Sequence, residues 1–221
     1  GWYTISSPLV ANTNLSDIEG LMSNDHDIYR YDEPTCLWQN AKDDSNYFND
    51  IEIGRGYLYA NKNDVTLSFS GELNANNVAC FLTKTEDKAL SGFHLIGNPF
   101  AHDIYKGKGA AIDDNNLVKG YYVLHNSGTW GVKLSDNNPI APCQSILVKT
   151  IEECEIVINK TNALPSDVID DNTLAITVNN DYYEDISYAL FNTGIGLEKI
   201  NHRNIDAPSI YIPIDGVNYA V

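Results

Sequence analysis

Apolar residues in this chain recur in short runs that alternate with polar positions and are separated by clusters of Asn, Asp and Gly. The runs at 2–6, 27–31, 56–60, 65–69, 78–83, 93–97, 120–125, 145–149 and 155–158 predict strands, as do those at 174–178, 186–191, 209–212 and 218–221. None reaches helix length. Turn chemistry fills the gaps, in Asn61-Lys62-Asn63-Asp64, Asn74-Ala75-Asn76-Asn77 and Asn126-Ser127-Gly128 among others, where Asx side chains cap the backbone and Gly accepts positive φ. Regular spacing of this kind predicts an all-β fold, an antiparallel β-sandwich or jelly-roll-like arrangement. One helical exception is expected: Ser16-Asp17-Ile18-Glu19 has the form of a capping box and predicts a turn or two of helix.

The polar stretch 159–172, which contains Pro165, predicts a boundary. Residues 1–160 are read as a β-sandwich module and residues 161–221 as a second, small β domain. The second region offers four clear strands in about fifty residues, thin for a self-sufficient sandwich. The chain stops on the alternating Val217-Asn218-Tyr219-Ala220-Val221, so the second domain is expected to be truncated and the chain to be a fragment of a longer one.

Charge narrows the partners. Of 221 residues, 30 are Asp or Glu and 14 Lys or Arg, a formal net charge of −16. Such a field repels polyanions, which argues against nucleic acid and anionic membrane surfaces. No apolar run approaches the ~18 residues a spanning helix needs, so no membrane insertion is expected.

The chemistry search is mostly negative. No Cys-x-x-Cys, His-Glu-x-x-His, P-loop or Gly-x-Ser-x-Gly string occurs, and Gly107-Lys108-Gly109 continues without a dinucleotide fingerprint. No catalytic residue, metal ligand or cofactor is therefore assigned. The loops Asp113-Asp114-Asn115-Asn116 and Asp136-Asn137-Asn138 offer oxygen ligands to calcium, but lack EF-hand spacing, and turn chemistry is the preferred reading. His94 should point to solvent by alternation with Phe93 and Leu95, and His102 lies past a proline turn. Cys36, Cys80, Cys143 and Cys154 allow two bridges in three connectivities, or four unpaired thiols, which is the favoured reading.

Aromatic residues are the more suggestive supply: 14 Tyr, 3 Trp and 6 Phe. They serve either as core or as exposed platforms for a sugar face or protein partner. Tyr57 and Tyr59 fall inside an apolar run and read as core. Trp38 and Trp130 lie beside loops and are the candidate ligand-binding residues for a glycan or a neighbouring cell-surface protein.

Particular strings carry more than periodicity. Gly54-Arg55-Gly56-Tyr57-Leu58-Tyr59-Ala60, Leu67-Ser68-Phe69-Ser70-Gly71-Glu72-Leu73, Gly92-Phe93-His94-Leu95-Ile96-Gly97-Asn98-Pro99-Phe100, Trp130 and Pro139-Ile140-Ala141-Pro142-Cys143-Gln144-Ser145-Ile146-Leu147-Val148-Lys149 follow one another in order. The set resembles a β-rich module found toward the C-terminal end of secreted and surface proteins of Bacteroidota, often ahead of a type IX secretion sorting domain. The resemblance covers about residues 1–150, and residues after 207 look like the start of a following sandwich. Where Cys143 and Ser145 stand, that family commonly has glycine in a Pro-Gly-Gln-Gly-type turn. The resemblance implies an extracellular or outer cell-surface location and brings no catalytic residues. The expected function is a non-catalytic β module of a larger protein, an adhesin or spacer, the alternative being a carbohydrate-binding accessory module of a secreted hydrolase.

Overall fold

A computed structural model of the chain describes residues 1–21, 24–44, 48–86, 88–134, 137–166, 172–191 and 196–221. Among these, regular structure is strand, apart from one short 3₁₀ turn. In chain order the strands are β1 (Trp2–Ile5), β2 (Thr13–Asn14), β3 (His26–Asp32), β4 (Leu37–Asn40), β5 (Asp50–Ile51), β6 (Tyr57–Asn61), β7 (Val78–Leu82) and β8 (Phe93–Gly97). There follow β9 (Tyr121–Leu124), β10 (Trp130–Lys133), β11 (Ser145–Lys149), β12 (Cys154–Ile158), β13 (Thr173–Asn179), β14 (Glu184–Leu190), β15 (Ile212–Ile214) and β16 (Val217–Tyr219). The all-β class read from the sequence is what the chain adopts.

Two four-stranded antiparallel sheets form the frame, one in the order β1-β6-β3-β4 and the other in the order β10-β9-β11-β8. Alternation sorts their side chains. In the first sheet Ile5, Ile28, Tyr57 and Tyr59 pack with Ile18, Phe48 and Ile51, while Tyr31, Trp38 and Leu58 pack with Phe93, Leu95, Tyr122 and Leu147 of the second sheet. The opposite face of that second sheet, carrying Ile96, Tyr121, Ile146 and Val148, is covered by Val78, Leu82, Ile156 and Ile158 of the β7–β12 ribbon. The second sheet is thus a middle layer, and every residue of β11 is buried. This explains why residues 145–149 read as one continuous run rather than an alternation.

The two sheets are joined where the chain passes from one to the other. Gly56 N–H donates to Leu95 O at 2.8 Å and Gly97 N–H to Gly54 O at 3.0 Å, after which the chain enters β6 of the first sheet. A Cβ on Gly56 would lie 2.5 Å from the Ser145 Cβ, so only glycine permits the crossing.

Residues beyond 172 pack onto the same frame. Tyr188 of β14, Leu197, Ala220 and Val221 belong to the cluster that holds Phe93, Tyr122 and Val132. Tyr188 N–H donates to Ala220 O, and Leu197 N–H to Val221 O.

Three expectations require correction. Residues 65–69 form no strand; Ser68 makes an isolated antiparallel bridge with Glu19. The helical turn shrinks to a 3₁₀ turn over Leu15–Asp17, capped by Asn14, whose side chain accepts from Ser16 N–H at 3.0 Å; Ile18 is already extended. The Ser16 hydroxyl donates to Asn14, so it does not cap a helix of its own. Four strands, β2, β4, β5 and β10, were not expected; β2 and β5 are two residues each and pair only with one another, and β4 and β10 stand at sheet edges, where the hydrophobic pattern is weak.

Candidate functional site

Both candidate tryptophans are half-buried on the flank of the core shared by the two sheets. Trp38, paired with Tyr31 across β3 and β4, tilts against that ring at 5.2 Å between centroids. Trp130 opens β10 opposite Leu124. A third tryptophan, Trp2, is 39% exposed and tilts against Tyr29 at 5.7 Å, which makes it the more open aromatic pair. The signal for it was its place as the second residue of an edge strand.

The other candidates resolve into structural duties. His94 does not stand free in solvent: it is half-buried, its Nε2 lies 2.8 Å from Thr83 O, and burial pushes its pKa down. His102 stacks on Phe100 at 5.2 Å. Asp113 accepts from Gly109 N–H and Asn115 N–H, an Asx turn. The second Asx loop begins at Asp136, which lies outside the described residues. Among the described residues no group of three His, Cys, Asp or Glu side chains is placed to hold a metal ion. All four cysteines are free thiols. Among the described residues no helix is long and apolar enough to cross a membrane.

The Gly97-Asn98-Pro99-Phe100 string folds into a buried polar knot. Asn98 Nδ2 donates to His102 O and Ile140 O, each at 2.9 Å, while its Oδ1 accepts from Phe100 N–H. Ser6 Oγ donates toward Asn98 O and Gln144 O, and Ser145 Oγ donates to Ile5 O. Both polar atoms of the Asn98 amide are thus used in tying the turn after β8 to the loop before β11, while the Ser6 and Ser145 hydroxyls fasten the end of β1 to them. Beside this knot lies a cleft of about 210 Å³ lined by Thr4, Tyr121, Lys133, Gln144, Ser145 and Ile146. It is smaller than the ~300 Å³ at which pockets begin to enclose drug-sized ligands.

Two buried charged centres were not legible in the sequence. Glu33, in the β3–β4 turn, is 1% exposed, and its Oε1 accepts from Thr85 N–H at 2.6 Å, Thr85 Oγ1 at 2.9 Å and Gly92 N–H at 2.9 Å. Burial by itself would raise the carboxyl pKa, but these donors outweigh it and hold the pKa down to about 2. Oε2 makes no hydrogen bond of regular geometry, so the Thr83 hydroxyl, which also favours the charge, acts from outside that geometry.

The second centre joins Asp185 of β14 to Lys199 and His202. Lys199 Nζ lies 2.5 Å from both carboxylate oxygens of Asp185, and both side chains are wholly buried. Oδ2 also accepts from Ile210 N–H at 2.7 Å. His202, its side chain 3% exposed, has Nε2 3.5 Å from Oδ1, and neither ring nitrogen makes a hydrogen bond of regular geometry. Burial lowers the pKa of both Lys199 and His202, against the opposing pull of the Asp185 charge. Sequence offered no signal for this grouping, because the three residues come from separate segments and form no spaced motif. Comparison with protein-family models, with curated proteins and with solved structures finds no match to this chain.

Proposed function

We propose that this chain is a non-catalytic β module of a larger extracellular or cell-surface protein, serving in adhesion or as a spacer. The observation that carries the reading is where the family-like strings fall. Gly56, Gly97, Asn98 and Ser145 form the crossing and the knot that lock the two sheets together, so the resemblance lies in the frame and not in a reactive cleft. The buried carboxylate of Glu33 supports the same reading, since its Oε1 is fully engaged in bracing a turn. An acidic, turn-rich surface suits a solvated module that stands between partners. The test is the purified chain on chromogenic glycoside, ester and peptide panels, beside a cell-binding assay with the chain displayed on beads. No turnover, with or without adhesion, is expected. Turnover that survives repurification and disappears on replacing one carboxylate or histidine would overturn the proposal.

A second reading, a carbohydrate-binding accessory module, draws on the surface aromatics. Trp2 with Tyr29 offers an open aromatic pair, and Trp38 and Trp130 lie at the flank of the frame. A glycan array decides it: binding that falls on Trp2→Ala, Trp38→Ala or Trp130→Ala with the fold intact favours this reading over the spacer.

A further inference from the structure

The geometry points to a covalent amide between the side chains of Lys199 and Asp185, formed within the folded chain without any added reagent. Three features of the centre converge. Nζ sits against both carboxylate oxygens at 2.5 Å, which brings it within roughly the 3–3.5 Å separation of a reacting pair from the carboxyl carbon. Neither side chain is exposed, so water neither screens the pair nor competes for it. Two charges sealed off in this way lose their hydration, which favours moving the proton from the ammonium to the carboxylate and leaves a neutral amine beside a neutral acid.

The surroundings supply the remaining parts. Ile210 N–H points at Oδ2 from 2.7 Å, placed to hold negative charge that develops on that oxygen. His202 stands on the other side, Nε2 3.5 Å from Oδ1, with neither nitrogen engaged in a regular hydrogen bond and its imidazole kept neutral by burial. It is a proton carrier with nothing else to do. The step then balances. The amine lone pair of Nζ bonds to the Asp185 carboxyl carbon, and the carbonyl electron pair moves onto Oδ2 beside Ile210 N–H. His202 takes a proton from the new ammonium and returns it to the Oδ1 hydroxyl, which leaves as water. The Oδ2 double bond re-forms, one C–N bond has replaced one C–O bond, and nothing is oxidised or reduced.

The other lysine pairs lack these features. Lys149 meets Glu198, whose side chain is 37% exposed, and Lys106 meets Asp114, which solvent also reaches. The amide would tie β14 to the segment that pairs with the last strand, where Lys199 N–H donates to Asn218 O.

Intact-mass measurement on the full chain, followed by tryptic mapping, tests the proposal. The expected product is about 18 Da lighter than the sequence mass, one water lost. Trypsin should fail to cut after Lys199, so the loss appears in a peptide spanning 161–203 that yields no backbone fragments between Asp185 and Lys199. Lys199→Arg should restore the sequence mass, and His202→Ala should leave a fraction of the chain unlinked. A chain at its sequence mass that trypsin cuts after Lys199 would overturn the proposal. So would a loss that maps to 204–221, where Asp215-Gly216 can cyclise on its own backbone. The map of the unaltered chain decides the matter even if the Lys199 variant fails to fold.

Discussion

A Cβ built on Gly97 would lie 2.3 Å from the Cβ of Ser6 and 2.7 Å from Arg55 O, so three chain segments meet with only a hydrogen atom at their centre. Gly97→Ala must push β1 or the Gly54–Gly56 crossing aside, because the obstructing atoms are backbone and the root of a buried side chain. The expected loss is about 2–3 kcal/mol, the cost of overpacking a closed site. Gly128→Ala serves as the control: nothing lies within 4 Å of its Cβ, but φ is +80°, so only backbone strain of about 1 kcal/mol applies. Urea melts of the two variants check this, and equal losses would show that the crossing yields.

Glu33 gives the fold a second, electrostatic dependence. With its Oε1 removed, Thr85 N–H and Gly92 N–H are left buried without acceptors, and Glu33→Ala is expected to cost about 2–4 kcal/mol. Glu33→Gln retains an acceptor oxygen and should cost roughly half as much. The pH dependence has a definite sign. The folded pKa of about 2 lies below the ordinary 4.5, so the folded state binds the proton less readily, and the stabilisation is complete above pH 4.5. It is lost as pH falls from 4.5 through about 2, by roughly 3 kcal/mol in all. Glu33→Gln should flatten that part of the stability profile; an unchanged slope would assign it to other carboxylates.

Histidines act at higher pH. Burial lowers the pKa of His94, His125 and His202, opposed for His94 by its bond to Thr83 O; His125 is pushed down further by Lys133. All three start from an ordinary value of 6.5. A depressed pKa means that the unfolded chain takes protons first, so stability is whole above pH 6.5 and declines below it, before the Glu33 window opens. Melting temperature followed from pH 8 to pH 3 should therefore fall in two stages. Combining His94→Gln with His202→Gln should remove much of the first stage, and two-dimensional NMR should find both imidazoles titrating below the ordinary value of 6.5.

Strands that packing covers on one or both faces were legible, β8 included although it stands at the edge of its sheet, because that burial imposes a hydrophobic pattern. Residues 93–97 and 145–149 carry that pattern and form β8 and β11 with those bounds. Edge strands such as β10 carry less of it, and the Asp215-Gly216 pair, whose φ angles of +50° and +83° build the two-residue turn of the β15–β16 hairpin, was a local signal left unread. The charged centres are of another kind. Glu33 looks like any surface acid next to Pro34, and nothing local tells that Thr85 and Gly92 will close over it. Asp185, Lys199 and His202 meet only through tertiary packing, so their chemistry belongs to the fold and not to a motif.

Cys143 stands where the backbone favours glycine. Its φ is +61°, in the left-handed region, although the residue carries a side chain. The turn is held there because Cys143 O accepts from Ser6 N–H and Gln144 N–H donates to Ala141 O. A non-glycine residue in that region costs about 1–2 kcal/mol, and glycine returns part of the gain through a looser unfolded chain. Cys143→Gly is therefore expected to stabilise the protein by about 0.5–1 kcal/mol, whereas Cys143→Ala, which keeps the Cβ, should not. Cys36 has a similar φ of +55° but a different setting: its Sγ donates to Glu33 O at 3.1 Å and contacts Thr85 Oγ1 at 3.3 Å. Cys36→Gly relieves the same strain and loses those contacts beside a buried carboxylate, so it should destabilise. Denaturant melts of the three variants decide the point, and a loss in Cys143→Gly as large as that in Cys36→Gly would mean that the thiol, and not the backbone, holds the turn.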